Sequence, residues 1–328
     1  KRIIMKYVFK FSTWLLIMPL FFTACECSKN KSEIVSNELK RVNSIYHWKT
    51  TFDLDSFDIS FLEKHQIRRL YLRMFDVATE QNLQNDRIEI VPIATTKFIS
   101  TVPKDIEIIP VTYITIDALR SLEGKEIEFA SLIVERLLAM SAYNECGDIR
   151  EIQLDCDWTS STKNNYIKLC TSVLDILKTK DIALSITVRA HQLQETPPPA
   201  DRGVLMLYNT GNLKNPETKN SILDINDVKP YLKQNKYPLP LGYAYPTFGW
   251  GVKFRNNNFV SIVSSDTISI NDNEYIRTER PSVTDIIGVK ELVEKQLGQP
   301  QSGNILYHLD FSQLKNYTDN EINEILSY

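Results

Sequence analysis

The chain has 328 residues, 43% of them hydrophobic, and a formal net charge of −3. This composition is ordinary for a globular protein, and the slightly acidic balance argues against a nucleic-acid-binding surface. About 290 residues follow a polar segment near the N-terminus, which is a normal size for one α/β barrel domain. We therefore expect one folded domain and no nucleic-acid partner.

The first residues have the pattern of an export signal. Lys6 and Lys10 precede an apolar run over residues 11–22, and Ala24-Cys25 follows. A basic segment, a short apolar segment and small residues before a cleavage point are typical of a signal peptide. With Cys25 at the first mature position, the stretch resembles a bacterial lipoprotein signal. A transmembrane anchor is the alternative, but the run is shorter than the roughly 20 residues that cross a bilayer.

The lipoprotein resemblance implies that Cys25 is lipidated, with acyl chains such as palmitate, and becomes the new N-terminus. We expect a natural start at Met5, a signal peptide over 1–25, a flexible tether over 26–40 and a barrel domain over 41–328. The tether is polar and charged and has little to bury. The expected location is the bacterial cell envelope, at the periplasmic or surface side of the outer membrane, with membrane contact through the lipid.

After the tether, eight strand-like runs alternate with helical or loop segments. We predict the strands at 44–50, 69–77, 107–115, 151–159, 183–191, 203–209, 238–245 and 304–310. Helical patterns cover 56–65, 126–143, 163–178, 227–234, 282–297 and 319–328. Strict alternation implies parallel strands with right-handed crossovers. Eight such strands favour closure into a (β/α)8 TIM barrel over an open sheet.

Two segments interrupt this alternation. An apolar stretch over 87–94 is predicted to be an excursion in the connection after the second strand. Residues 249–281, after the seventh strand, are rich in Asn, Ser and β-branched residues and predict a β-hairpin insertion over the barrel mouth. Of the five cysteines, Cys146, Cys156 and Cys170 have no metal-type spacing. We predict buried thiols, with one disulfide as the alternative in an exported protein.

The fourth predicted strand ends in carboxylates. Residues two apart on a strand share a face. The polar face consists of Gln153, Asp155, Asp157 and Thr159, and the other face of Leu154, Cys156 and Trp158. A doubly acidic face is costly unless it meets solvent or hydrogen-bond partners. Because barrels build their sites at the carboxyl ends of strands, we place the candidate site here.

Other polar and aromatic residues also fall at or near strand ends. The ionisable ones are His47, Arg73, Asp76, Arg189, His191, His308 and Asp310. The aromatic ones are Trp48, Phe75, Tyr113, Trp158, Tyr208, Tyr245 and Tyr307. Aromatic faces beside carboxylates and arginines suit the apolar faces and hydroxyl edges of a sugar ring, and also other ligands. The alternative is that the aromatics are core residues and the charged pairs are structural.

Four strand ends resemble those of glycoside hydrolase family 18, the chitinase and endo-β-N-acetylglucosaminidase barrels. The matching segments are Leu154-Asp155-Cys156-Asp157-Trp158, Met206-Leu207-Tyr208-Asn209, Leu241-Gly242-Tyr243-Ala244-Tyr245 and Ile305-Leu306-Tyr307-His308-Leu309-Asp310. The similarity covers these strand ends and not the helices. The eighth strand of the family normally has Trp where Tyr307 stands. The whole chain also resembles barrel lipoproteins of gut-type bacteria.

The resemblance implies roles for several residues. Asp157 would orient the N-acetyl group of the substrate, whose oxygen is the nucleophile, and Asp155 would hold Asp157. Tyr208 and Asn209 would contact the same acetamido group. The general acid of the family falls at Thr159, and a threonine cannot protonate a leaving group at neutral pH. Loss of a general acid typically costs about 10²–10⁴-fold in rate.

Three hypotheses follow. In the first, the protein is a glycosidase whose general acid is one of two residues. It is either Asp157, with its pKa raised by the nearby Asp155, or Asp310. Alternatively, the barrel binds a GlcNAc-containing glycan without hydrolysis. The less favoured third hypothesis is a metal-dependent hydrolase using Asp155, Asp157, His191 and His308, although no His-x-His or Glu-x-x-His spacing supports it.

The glycan hypotheses share one set of candidate residues and expect neither a cofactor nor a metal. The catalytic candidates are Asp155 and Asp157. The substrate-binding candidates are Arg73, Asp76, Trp158, His191, Tyr208, Asn209, Tyr245, Tyr307, His308 and Asp310.

Overall fold

The computed structural model describes residues 40–82, 86–263 and 271–328. The predicted signal peptide, the lipidated Cys25 and the tether before residue 40 lie outside the described residues. Within the described ranges, no helix is both long enough and apolar enough to cross a membrane.

Eight parallel strands form a closed barrel in which each strand pairs with the next along the chain and the last pairs with the first. The strands are β1 Ser44–His47, β2 Arg69–Asn82, β3 Glu107–Ile114, β4 Glu151–Asp155, β5 Ala183–Arg189, β6 Arg202–Met206, β7 Leu241–Pro246 and β8 Asn304–Tyr307. At the point of closure, Ser44 of β1 aligns with Arg69 of β2 on one side and with Ile305 of β8 on the other. The predicted TIM barrel is confirmed.

Alternation along the strands separates a lumen from an outer apolar layer. On β4, Ile152 and Leu154 join the outer layer beneath the helices, while Gln153 accepts a hydrogen bond from the hydroxyl of Tyr46 at 2.7 Å inside the barrel. The lumen is filled by Tyr46, Tyr71, Ile109, Val111, Val204, Met206, Ala244 and Ile305. A filled lumen leaves the carboxyl-end mouth as the place where a ligand can enter.

The helices are α1 Ser56–Lys64, α2 Ile116–Ser121, α3 Glu126–Tyr143, α4 Lys163–Lys178, α5 Ile225–Val228, α6 Val283–Leu297, α7 Phe311–Leu314 and α8 Asp319–Leu326. Short 3₁₀ helices cover Ala190–Gln194 and Lys229–Tyr231. Helix α6 begins as predicted at the cap Ser282, whose hydroxyl accepts from the backbone N–H of Asp285 while the Asp285 carboxylate accepts from the Ser282 backbone N–H.

Two predicted elements differ from the structure. The fourth strand ends at Asp155 instead of residue 159, so Asp157 and Thr159 lie on the loop that follows it. The helix predicted over 227–234 is replaced by α5 and the 3₁₀ helix Lys229–Tyr231. Pro230 lacks a backbone N–H and therefore cannot continue the helix.

The connection between β2 and β3 has no helix in its described part. Instead the strand Arg87–Ile93 pairs antiparallel with the outer half of the 14-residue β2, so that Asn82 aligns with Arg87 and Asp76 with Ile93. A second short strand, Lys97–Phe98, pairs with Thr51–Phe52. The described residues of this connection therefore form strands, and no helix of theirs covers the barrel here.

The segment after β7 contains three antiparallel strands, Trp250–Arg255, Asn258–Val263 and Glu274–Glu279. The first strand is central and pairs with both others. The buried carboxylate of Glu279 ties this small sheet to the connection after β6, because it accepts hydrogen bonds from the Ser221 backbone N–H at 3.0 Å and from Ser221 Oγ at 2.5 Å.

The three cysteines of the barrel, Cys146, Cys156 and Cys170, are buried and unpaired. The prediction of buried thiols is confirmed, and none of the three forms a disulfide. Burial raises the pKa of Cys146 to about 11, so the thiol stays protonated at neutral pH.

Candidate functional site

The carboxyl ends of β4 and β5 bring two carboxylates and one guanidinium together. Arg189 donates from Nε to Asp157 Oδ1, and from Nη2 to Asp155 Oδ1 at 3.3 Å. Thr187, two residues earlier on β5, donates its hydroxyl to the same Asp155 oxygen at 2.6 Å. One arginine therefore pairs with both members of the predicted catalytic pair.

The two carboxylates differ in their access to solvent. The Asp155 side chain is 3% exposed, whereas that of Asp157 is 41% exposed. Burial raises the pKa of Asp155, against the opposing effects of the Arg189 guanidinium and the Thr187 hydroxyl. Asp155 is thus a structural carboxylate, and Asp157 is the one that a ligand can reach.

Thr159 lies in the loop before α4 and is exposed. Its hydroxyl is 3.0 Å from Ser161 Oγ, and its backbone N–H donates to Thr162 Oγ1 at 3.0 Å. This position, which the family resemblance assigns to the general acid, is therefore occupied by hydroxyl groups that organise a turn.

A pocket of about 230 Å³ opens beside Asp157. Its lining consists of Asp157, Arg189, Ala190, His191, Tyr208, Asn209, Thr210, Asp227 and Tyr231. The structure thus brings together four of the predicted site residues, namely Asp157, His191, Tyr208 and Asn209. Pockets for drug-sized ligands typically measure about 300–1,000 Å³, so this one has room for a single sugar unit.

The electrostatics of the pocket are set by Arg189. Its guanidinium lies over the Tyr208 ring, with 5.2 Å between Cζ and the ring centroid. Burial raises the pKa of Tyr208 to about 12, so the phenol is a neutral hydrogen-bonding group. Partial burial lowers the pKa of His191, against the attraction of Asp157, and Arg189 lowers it further. We therefore expect a neutral imidazole at pH 7.

Asp227 lies in the same pocket and was not predicted from the sequence. It belongs to α5, after β6, and its only sequence signal is its position three residues after the helix cap Asp224, which is typical of an ordinary helix start. Burial raises the pKa of Asp227, and the charge of Asp224 raises it further. It is the carboxyl group of this pocket that is not held by Arg189.

Aromatic rings form a wall beside the pocket. Tyr208 and Tyr307 are in contact, with 4.4 Å between ring centroids, and Trp48 lies 5.8 Å from Tyr307. Phe248 and Trp250, which follow β7, extend the wall, and their ring centroids are 5.3 Å apart. Trp48, Phe248 and Trp250 are half-buried, so part of each ring remains available to a ligand. Sequence reasoning missed the last two because they adjoin the insertion.

Two predicted substrate-binding residues face away from the mouth. Tyr245 is fully buried in the outer apolar layer, because its neighbour Ala244 takes the lumen position on β7. Trp158 is 3% exposed and packs in the same outer layer, where its backbone carbonyl accepts from Gln192 Nε2 at 3.1 Å. Both predictions are corrected: these rings are core residues and cannot contact a ligand at the mouth.

Arg73 and Asp76 are paired with each other. Arg73 donates from Nε to Asp76 Oδ1 at 2.8 Å, and from Nη1 to the Trp48 carbonyl at 3.1 Å. Its guanidinium also lies over the Trp48 ring, 5.4 Å from the centroid. Asp76 is 7% exposed. Arg73 and Asp76 thus bind each other, and Arg73 also holds Trp48 in place.

Asp310 and His308 belong to another cluster at the end of β8. Asp310 accepts from Lys49 Nζ at 3.3 Å and from Ser312 Oγ at 2.9 Å. Although burial opposes it, these hydrogen bonds lower the pKa of Asp310, which argues against this residue as the relocated acid. Burial lowers the pKa of both His308 and its neighbour His47 to about 4.

The metal hypothesis requires His308 beside Asp155, Asp157 and His191. The structure instead gives His308 the charged neighbours Lys49 and Asp310. No group of three or more His, Cys, Asp or Glu side chains that could hold a metal occurs in the described part of the chain. The four residues of that hypothesis therefore do not form one site.

No protein-family model and no curated protein matches the chain. Solved structures do match it. The GH18 chitinase ChiB of Flavobacterium johnsoniae has a TM-score of 0.54 and 13% identity, over 88% of this chain and 94% of that one. A chitinase of Chromobacterium violaceum has a TM-score of 0.53 and 11% identity, over 88% and 100%. The spore cortex-lytic enzyme SleL of Bacillus megaterium has a TM-score of 0.52 and 11% identity, over 88% and 75%.

At sequence identities this low, the likeness to these structures shows the fold alone. The chain is a divergent TIM barrel with the fold of the glycoside hydrolase family 18 chitinases and of SleL.

Proposed function

We propose that the protein binds a GlcNAc-containing glycan at the carboxyl-end mouth of the barrel and does not hydrolyse it. The observation that carries this proposal is the pairing of Arg189 with both Asp155 and Asp157. A glycosidase needs a group that donates a proton to the leaving group as well as one that engages the substrate. Here Arg189 pairs with both carboxylates, and a threonine stands at the position that the family resemblance assigns to the acid.

The same geometry supports binding. Asp157 is 41% exposed and bonds Arg189 through Oδ1, so its second oxygen is available to an acetamido N–H or a sugar hydroxyl. The pocket holds one sugar unit, and the half-buried rings of Trp48, Phe248 and Trp250 offer apolar faces to neighbouring units. Clusters of aromatic rings with a few fixed polar groups are characteristic of ligand sites.

Hydrolysis with Asp227 as general acid is the second candidate. Asp227 lines the same pocket as Asp157, and burial raises its pKa, as a general acid requires. This arrangement would use the same pocket as the family resemblance implies, with a different residue as the acid. It differs from the binding proposal in one measurable respect, which is the appearance of shortened products.

A direct test incubates the purified protein with chito-oligosaccharides and N-glycans and analyses the products by mass spectrometry. The binding proposal predicts intact glycans after prolonged incubation. Turnover that is lost in Asp227→Asn and retained in Asp224→Asn, the neighbouring carboxylate outside the pocket lining, would instead establish the second candidate.

We also propose that the mature protein is anchored to the bacterial cell envelope by a lipid on Cys25. The proposal rests on the signal sequence and suits a glycan-binding protein of a nutrient-uptake system. Cys25→Ala should release the protein from the membrane fraction, whereas Cys27→Ala should leave it there. Membrane fractionation of the Cys25 variant together with the wild type would contradict lipid anchoring.

A further inference from the structure

A large cavity shares no lining residue with the pocket at the mouth. It is a groove of about 850 Å³ between α3 and the strand pair formed by β2 and Arg87–Ile93. It lies beside the connection between β2 and β3, whose described residues form no helix. Its walls are mostly apolar and include Val77, Ile90, Phe98, Phe129, Leu132 and Met140.

The outer edge of this groove leaves apolar surface in water. Leu132 is 51% exposed and Tyr143 is 88% exposed, and both line the groove from α3. Residues 129, 132, 133, 136, 140 and 143 recur at helical spacing, so they form one stripe along α3. A contiguous exposed apolar surface of this kind marks an interaction site more often than isolated exposed residues do.

Arg136 supplies the only arginine or lysine among the residues that line the groove. Its guanidinium lies over the Phe75 ring, 5.0 Å from the centroid, and Nη2 donates to Thr95 Oγ1 at 3.1 Å. Its Nε is buried without a hydrogen-bond partner in the described part of the structure and is closed to a ligand. With one Nη2 donor on Thr95, the other Nη donors of the guanidinium remain for a ligand. The exposed Glu135 lines the groove as well.

We infer that this groove binds a single-chain anionic amphiphile, a straight-chain carboxylate whose head group pairs with Arg136 and whose alkyl chain lies along α3. A carboxylate is the planar anion that a guanidinium binds best, through two parallel hydrogen bonds. From Arg136 to Tyr143 the helix rises about 10 Å, which suits an alkyl chain of medium length. Thr95 lines the groove, and its hydroxyl, which accepts from Arg136, can donate its own proton to the head group.

The test uses the full-length protein and decanoate below its micellar concentration, with binding measured by calorimetry. Decanol and decyltrimethylammonium are the matched probes, because they share the alkyl chain and differ in the head group. We expect saturable one-to-one binding of decanoate, about 10-fold weaker binding of decanol and still weaker binding of the cation, as expected when a charge-assisted hydrogen bond is lost.

Variants separate the head-group contact from the apolar contact. Arg136→Gln should weaken decanoate binding about 10-fold and abolish the difference between acid and alcohol. Ala139→Trp, at an exposed groove position, should block all three probes by filling the groove. Arg120→Gln, an arginine of α2 that is 57% exposed and pairs with Asp117, is the control and should change nothing.

Four results would overturn the inference. The first is the absence of saturable decanoate binding. The second is equal affinity for decanoate, decanol and the cation, which would indicate an unspecific apolar surface. The third is unchanged acid selectivity in an Arg136→Gln protein that melts like the wild type. A change of oligomeric state in Ala139→Trp without any probe binding would point to a second copy as the occupant and would equally refute the amphiphile.

Discussion

Replacing Arg189 by methionine tests whether the carboxylate pair is a structural cluster. Asp155 is buried with its side chain 3% exposed, and Arg189 is its only cationic partner among the described residues. Removal of one partner of a buried ion pair typically costs about 3–5 kcal/mol, because the other charge is left uncompensated. Asp157 is 41% exposed and can be solvated, so its lost pair adds little. We expect Arg189→Met to lower the free energy of unfolding by about 3 kcal/mol at pH 7.

The pH dependence of this loss has a defined sign. Burial already raises the pKa of Asp155, and Arg189 opposes this rise, so the pKa rises further in the variant. A carboxyl group whose pKa is higher in the folded state than in the unfolded state favours folding when protonated. This contribution is complete below the unfolded pKa of about 4 and is lost as the pH rises through the folded pKa. The deficit of Arg189→Met relative to the wild type should therefore be small at pH 4 and grow towards pH 7.

Urea unfolding of both proteins across this pH range measures the difference directly. Arg120→Met is the control, because Arg120 and Asp117 are 57% and 74% exposed and should contribute at most about 0.5 kcal/mol. A deficit below about 1 kcal/mol at pH 7, or a deficit that does not change with pH, would refute the view of Asp155 as a buried charge held by Arg189.

Three further predictions concern the acid position, acid denaturation and a helix cap. Thr159→Glu should produce no chito-oligosaccharide hydrolysis by mass spectrometry, because Asp157 remains paired with Arg189; restored turnover would contradict the inactive arrangement. Burial lowers the pKa of His47 to about 4, so the wild type should lose up to about 3 kcal/mol of stability as the pH falls from about 6.5 to 4. His47→Gln should flatten this part of the urea-derived stability curve, and an unchanged slope would refute a neutral buried imidazole. Ser282→Ala should cost α6 about 1 kcal/mol in urea unfolding, whereas a loss near zero would deny the capping role of that hydroxyl.

The barrel could be predicted from the sequence because its signals are local and repeated. The apolar runs of the strands and the 3.6-residue periods of the helices fix the element type. Helices α3 and α4 have the predicted bounds, Glu126–Tyr143 and Lys163–Lys178. The predicted ends of elements were less accurate where a single residue opposes the periodic pattern. Pro230, for example, ends the helix that the surrounding residues favour.

The orientation of the site residues could be predicted only for residues that lie on a regular strand. Asp155 and Asp157 were placed on one face of a strand, but the strand ends at Asp155, and Asp157 reaches the mouth from the following loop. The orientation of Tyr245 could not be read from its motif, because a shift of one residue on a strand moves a side chain from the lumen to the outer layer.

The partners of charged groups were equally hidden. Arg189 was visible at the end of β5, but its pairing with both carboxylates depends on the neighbouring positions of β4 and β5 in the barrel. Asp227 had no strand-end signal, since it enters the pocket from α5, the short helix after β6.

Glycan binding without hydrolysis can be tested by calorimetric titration of the purified protein with a chito-oligosaccharide, followed by mass analysis of the recovered ligand. We expect saturable binding, recovery of the intact ligand, and affinity reduced roughly 3- to 10-fold in Trp48→Ala, which removes an aromatic face at the mouth. Tyr143→Ala, the loss of an 88% exposed ring on α3, is the matched control and should bind like the wild type. No binding, or shortened ligand in the recovered sample, would contradict a glycan-binding barrel without hydrolysis.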